Sequence, residues 1–472
     1  MTRLLLLAAA TLGAAGCMVG PNYSRPPVTI PTTFRDVAPA ATAADGVSLA
    51  DTQWFDVFKD DTLTALVRTA IERNFDIRIA AERVIQARER FHIAESQQYP
   101  TVVAAASATS NRRSEVGATT LPANASPQVE SVHADIGAAW EVDVWGRLRR
   151  MNESARAQYL ATEEARRGVL TSLVADVSDR YLQLRSLDAQ LAIALRTRDI
   201  AADGYRLTDL RRSRGVATAL DVRQAEQLQL TAAGRIAALE REIAQTENAL
   251  SLLLGEVPGG VTRGRALDAF QAPPSIPAGV PASLLTRRPD IRQAEQQLIA
   301  ANAQIGVARA ELFPRITLTG VLGIESRSLS DLLTSRAGLF TAAAGLTAPI
   351  FNAGRLRAGV RVAESVQREL VIGYERAIYE ALRDVSDALT EYHKTTEQRT
   401  AQQALVESLR EAVRLSMQRY QGGIDSYLPV LDSQRSLFDS ELGLVTLQQR
   451  ELGSIVELYR ALGGGWSETP SP

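Results

Sequence analysis

Across 472 residues there is one cysteine, there are three histidines, and Lys59 and Lys394 are the only lysines. A single Cys17 excludes an intramolecular disulfide, so packing alone must hold the fold. Arginine therefore supplies almost all the positive charge, and it alternates with Glu and Asp along helical stretches instead of gathering in a patch. With 52 Lys and Arg against 54 Asp and Glu, the formal charge is −2, which excludes a basic nucleic-acid binder. His92, His133 and His393 are isolated in sequence, and no cluster has metal-ligand spacing. HExxH, GxSxG and Walker A sequences are missing as well. Neither an enzyme, nor a cofactor, nor a resident metal is expected. Aromatics reach only 5%; Ala, Leu, Gln, Glu and Arg dominate, the composition of long packed helices.

What is present begins with MTRLLLLAAATLGAAGC: one Arg, an apolar run, then small residues. The run is too short to span a bilayer and reads as a secretory signal over residues 1–16. Ala14-Ala15-Gly16-Cys17 has the form of a bacterial lipobox, and lipidation of Cys17 is the expected fate. Met18 follows it, not an Asp that would retain the protein at the inner membrane. Residues 17–60 read as an extended Pro-, Ala- and Thr-rich arm.

The remaining chain says the same thing twice. Asp76 and Pro100 match Asp290 and Pro314 at a shift of 214. Further on, Gly146-Arg147, Gly215, Leu220 and Leu254-Gly255 match Gly354-Arg355, Gly423, Leu428 and Leu462-Gly463 at a shift of 208. We place a first repeat at 61–266, a Pro-rich linker at 267–284, a second repeat at 285–466 and a tail at 467–472. A unit this long is no solenoid repeat. Each half must bury its surface against the other or against further copies of the chain.

Each repeat is predicted to open with a helix, the first running from near Asp61 to about Gln98. Tyr99-Pro100 ends that helix and Phe313-Pro314 ends its counterpart, because the residue before Pro leaves the α region. The period then changes to two. Val132, Ala134, Ile136, Ala138 and Trp140 alternate with His133, Asp135, Gly137 and Ala139, and Ile316 to Ile324 behaves alike. With partners near 101–110 and 337–350, this gives two hairpins and four strands of about ten residues. Residues 146–213 and 354–421 then run without proline, each a helix of roughly 100 Å at 1.5 Å per residue. Shorter helices are expected at 219–254 and 426–462.

Four strands cannot close a barrel, and an open edge cannot face lipid. Tyr99, Trp145, Phe313 and Phe351 stand at the four helix–strand junctions, as interface aromatics do, with Arg147, Arg149, Arg355 and Arg357 just beyond. The physics asks for several copies jointly closing one barrel that continues as very long helices.

These residues resemble the TolC-like outer-membrane efflux factors, in the lipoprotein branch with the OprM-type and NodT-type channels. The likeness lies in CMVGPNYSRPPV, WFDVFKDDTLTALVRTAIERNFDIRIAAERV, WGRLR with its counterpart NAGRLR, and RYQGGIDSYLPVLDSQRSLF. The resemblance implies a mainly α, tandem-duplicated fold. Four transmembrane strands per chain complete a twelve-stranded barrel in a homotrimer, above a periplasmic helical tunnel. It implies an exit duct for drugs or other small molecules, working with a periplasmic adaptor and an inner-membrane RND-type transporter. Type I protein secretion or metal-ion efflux is the alternative, and a lipid-anchored coiled-coil scaffold without a pore is the reading from another class. By the same likeness the tip turns at 213–221 and 421–432 meet the adaptor, with Gly215, Gly422 and Gly423 at their bends. Tyr420, Leu428, Asp432 and Arg435 form the gate, helped by Asp221. Asp425 and Pro429 depart from TolC itself.

Overall fold

The computed structural model describes residues 18–34, 58–118, 126–270 and 281–464. The lipobox with Cys17, the centre of the linker and the tail lie outside them. The chain divides into two units. The first takes residues up to Pro27, Val84–Thr162 and Ala294–Tyr374. The second takes Val28–Arg83, Glu163–Gln293 and the chain from Glu375.

In chain order the principal helices and strands are α1 (Asp61–Arg73), α2 (Phe75–Ser96), β1 (Thr101–Arg112), β2 (Gln128–Val142), α3 (Arg147–Ser213) and α4 (Ala219–Leu253). The second repeat supplies α5 (Leu284–Arg287), α6 (Pro289–Ala310), β3 (Arg315–Ser326), β4 (Gly338–Thr347), α7 (Arg355–Gln421) and α8 (Leu428–Ala461). Both long helices have 67 residues. The stretch from Ala337, uncharged and easily mistaken for a membrane helix, forms a strand. Among the described residues no helix is long and apolar enough to cross a membrane.

One expectation fails. The helix from Asp61 to Gln98 is two helices, broken at Asn74, whose ψ is 135°. Its side chain is the reason: Asn74 Oδ1 accepts from the backbone N–H of Asp76 (2.8 Å) and Ile77 (3.1 Å), capping α2. Its Nδ2 donates to Leu253 O at 2.9 Å. In the second repeat Arg288 takes this place, donating to Ala461 O at 3.1 Å.

The duplication is built into the backbone. Gly215 and Gly423, the paired ends of the long helices, have φ of 76° and 72°. Each closes the same helix-ending motif: Val216 N–H reaches back to Arg211 O and Ile424 N–H to Arg419 O, both at 2.9 Å. Gly255 and Gly463 do the same for the short helices, with φ of 69° and 76°. There another segment of the same chain also presses close: a Cβ on Gly255 would lie 2.4 Å from Arg73 O, and one on Gly463 2.9 Å from the Arg287 carbonyl carbon.

The first unit holds an antiparallel sheet in the order β1-β2-β3-β4, so hairpins from both repeats join through β2 and β3. The core of the second unit gathers Leu187, Ala201, Leu228, Tyr427, Val430 and Phe438, contributed by α3, α4 and α8 with the turn before α8.

Candidate functional site: the sheet face and the tip turns

Register sorts the sheet into two faces. Ile136 pairs with Ala104 and Leu322, and Leu322 with Phe340. Trp140 pairs with Leu318, and Leu318 with Ala344. On the opposite face His133 pairs with Ser107 and Glu325, while Glu141 pairs with Thr317. Strand geometry keeps residues i and i+2 on one side, so an apolar face stands against one carrying His133, Asp135, Glu141 and Glu325. β1 and β4 each have one paired side.

The four junction aromatics divide. Tyr99 and Phe351 project, at 64% and 90% exposure. Trp145 and Phe313 instead stack on each other at 4.7 Å, and Trp145 Nε1 donates to Pro314 O at 2.8 Å. Beside them Asp143 caps α3 through the N–H groups of Leu148 (3.1 Å) and Arg149 (2.9 Å). Arg147 makes a bidentate pair with Glu141.

Sequence reading missed how the arm is fastened here. Arg150 is 1% exposed; it donates to Asn22 Oδ1 at 2.8 Å and to the carbonyls of Val19 and Gly20, each at 3.4 Å. Arg25 clasps Glu295 with two bonds of 2.7 Å. Gly20 lies so near Gly306 that a Cβ on it would be 2.5 Å from the Gly306 Cα. Residues 19–25 of the arm thus form a fixed strap. Replacing Arg150 with alanine should cost about 1–3 kcal/mol through the abandoned acceptors. Limited proteolysis will check this: faster cleavage between residues 18 and 27 is expected, and unchanged protection would refute it.

At the other unit's tip, Asp221 closes a capping box with Thr218, accepting from its N–H and hydroxyl at 2.8 Å. Inside this chain it caps a helix, and among the described residues its carboxylate bonds only to Thr218. Asp432 and Arg435 are both exposed, and no ion pair joins them among the described residues. Leu428 is also exposed. Tyr420 is buried and packs edge-on against the buried Tyr427 at 5.1 Å. Arg211, from the first repeat, stands 4.4 Å from the Tyr420 ring centre and donates to its carbonyl at 3.1 Å. Burial pushes the Tyr427 phenol up to about 12.

The ion pair that does span the second turn is Arg419–Asp425, bidentate at 2.5 and 3.1 Å. Its bond to Arg419 holds the Asp425 carboxyl below the usual carboxylate value. The pair therefore persists at neutral pH and is lost only as pH falls through that depressed value. Arg and Asp flanking the Gly422-Gly423 bend were its signal in the sequence.

The outer membrane efflux protein family model matches residues 66–256 and 280–464. The solvent efflux pump outer membrane protein SrpC of Pseudomonas putida is 38% identical over 466 residues, covering 97% of each chain. The probable outer membrane lipoprotein SilC of Salmonella typhimurium is 36% identical over 471 residues, covering 99% of this chain and 100% of SilC. A crystal structure of CusC, described for its transmembrane channel formation, superposes with a TM-score of 0.85 at 33% identity, over 95% of this chain and 100% of that one. The chain belongs to the outer membrane efflux protein family, and it is the outer-membrane channel of an efflux pump.

Proposed function

We propose that three copies of the chain, each anchored by a lipid on Cys17, close a twelve-stranded barrel and form a passive, non-enzymatic exit duct. The observation that carries this is the sheet: one apolar face, one face bearing ionisable groups, and two strands left with an unpaired side. Such a sheet is satisfied in a bilayer only when further copies complete it. A periplasmic adaptor meets the tip turns around Gly215, Gly422 and Gly423, and an inner-membrane RND-type transporter feeds the duct with small organic solutes. SrpC, by its name a solvent-pump protein, supports that class of cargo.

The gate is assigned to Leu428, Asp432 and Arg435, whose exposure in the single chain leaves them available to neighbouring copies. Each exposed link contributes only about 0.2–1 kcal/mol, small enough for a docked adaptor to reverse. Replacing both Asp432 and Arg435 with alanine should raise single-channel conductance in planar bilayers while the purified protein keeps its trimeric mass. A stable, non-conducting monomer would overturn the duct itself. Unchanged conductance, with Leu428→Ala opening the pore, would move the gate to the apolar constriction.

A further inference from the structure

One cavity of the second unit is walled by all four helices that run to the tip turns. It measures about 340 Å³ and lies between α3, α4, α7 and α8, at the lower end of the roughly 300–1,000 Å³ of small-molecule sites. Its walls are mostly apolar: Ile200 from α3, Leu228 from α4, Val413 from α7, and Leu437 and Phe438 from α8. Leu228 and Phe438 also belong to the buried core of this unit, so packing fixes that side of the cavity.

Two polar groups on the cavity have no partner in the chain. Gln434 of α8 is 6% exposed, and its Oε1 is buried without a hydrogen bond. Thr197 of α3 lines the same cavity, and among the described residues its hydroxyl bonds to nothing. A buried acceptor without a donor is costly, and a bound donor removes that cost.

The charges nearby are already spent. Glu441, 7% exposed, accepts from Arg196 at 2.5 Å and from Arg410 at 2.9 and 3.2 Å. A charged ligand would have to break this arrangement and shed its own water against apolar walls. The set is also private to this place. The 208-residue shift between the repeats turns Arg196, Arg410 and Glu441 into Ala404, Ala202 and Ala233. A brace required wherever a long helix meets a short one would occur in both repeats; this one occurs once.

The geometry points to this cavity as a binding site for a small uncharged molecule with an apolar body and one hydroxyl, a phenol or an alcohol. The body lies against Leu228, Val413 and Phe438. The hydroxyl donates to Gln434 Oε1, which the broad terminal torsion of the carboxamide lets swing toward it, and Thr197 supplies a second polar neighbour. The site is built by one chain, so it goes beyond the reading of an assembled duct and is tested separately from it.

The test uses the full-length protein in detergent, with 1-naphthol as the probe and naphthalene as its counterpart without the hydroxyl. Val413→Cys places a thiol in the cavity wall, and its labelling by a small maleimide reports access. The parent, whose only cysteine is Cys17, gives the background. Both probes should slow the labelling. Adding Gln434→Met should weaken 1-naphthol about tenfold, the worth of one hydrogen bond, and leave naphthalene unchanged. That substitution removes an unsatisfied buried acceptor at nearly constant volume, so thermal unfolding should stay at the parent temperature or rise. Labelling that neither probe slows, or a 1-naphthol effect indifferent to Gln434→Met, overturns the site. A thiol at position 413 that labels only in the unfolded chain means that a second copy covers the cavity, and overturns it as well. Protection that depends on Gln434 in a protein running as a monomer upholds the site and overturns the duct.

Discussion

Gly255→Val is expected to melt the second unit at a clearly lower temperature, while Gly215→Val at a matching φ does much less harm. Both residues stand in the left-handed region, at 69° and 76°, where a side chain costs about 1–2 kcal/mol. The difference lies in what surrounds them. A Cβ at Gly255 meets Arg73 O at 2.4 Å, whereas at Gly215 nothing lies within 4 Å. Forcing atoms into packed backbone adds about 1–3 kcal/mol, so Gly255→Val should lose roughly twice as much as Gly215→Val. The second repeat offers an internal replicate: Gly463→Val should behave like Gly255→Val, and Gly423→Val like Gly215→Val, because Gly423 also faces open space. Thermal unfolding followed by circular dichroism measures all four. Equal losses at the four sites would mean that strain alone matters and close approach does not.

The second large effect is expected at the tip. Tyr427 is 1% exposed in the core cluster of the second unit, and its truncation to alanine should cost about 3–5 kcal/mol, as for other large aromatic side chains removed from a core. Its hydroxyl lies over Gly204 of α3, where an added Cβ would sit 2.5 Å from the oxygen but 3.5 Å from the ring carbon that bears it. Gly204→Ala alone should therefore destabilise the unit. Combined with Tyr427→Phe, the clash disappears, and alanine's helix preference over glycine, about 1 kcal/mol, should bring the double variant back to the parent or above it. A double-mutant cycle by chemical denaturation is the measurement. If Tyr427→Phe fails to rescue Gly204→Ala, the two side chains do not meet as described.

How much of this could be read from the sequence follows the range of the interactions. Periodicity, proline placement and the repeated glycines are local signals, and they located the two long helices, the two hairpins and the turns between long and short helices. The break at Asn74 was missed because the apolar spacing of Leu63, Val67 and Ala70 continues across it. What interrupts the helix is one side chain bonded to Leu253, far away in sequence. Arg150 was invisible for the same reason: nothing near WGRLR hints that the arginine just after it is buried under carbonyls from residues 19 and 20. At the tip, the resemblance to the family directed attention to Asp432 and Arg435. The chain's own closed ion pair joins Arg419 to Asp425, one of the positions where the sequence departs from TolC. Links between copies leave only exposed residues in a single chain, so neither sequence nor fold alone displays them.

The unpaired sides of β1 and β4 matter before any transport begins. Twelve residues on one edge and ten on the other present backbone donors and acceptors that will pair with whatever strand arrives first. A newly exported chain is therefore hazardous until its siblings reach it. Its productive lifetime is set by local chain concentration at the membrane, so expression level alone should change the yield of correctly closed barrels out of proportion to the amount made. Because Arg150 and Glu295 already hold residues 19–25 against α3 and α6 within one chain, that segment needs no sibling to find its place.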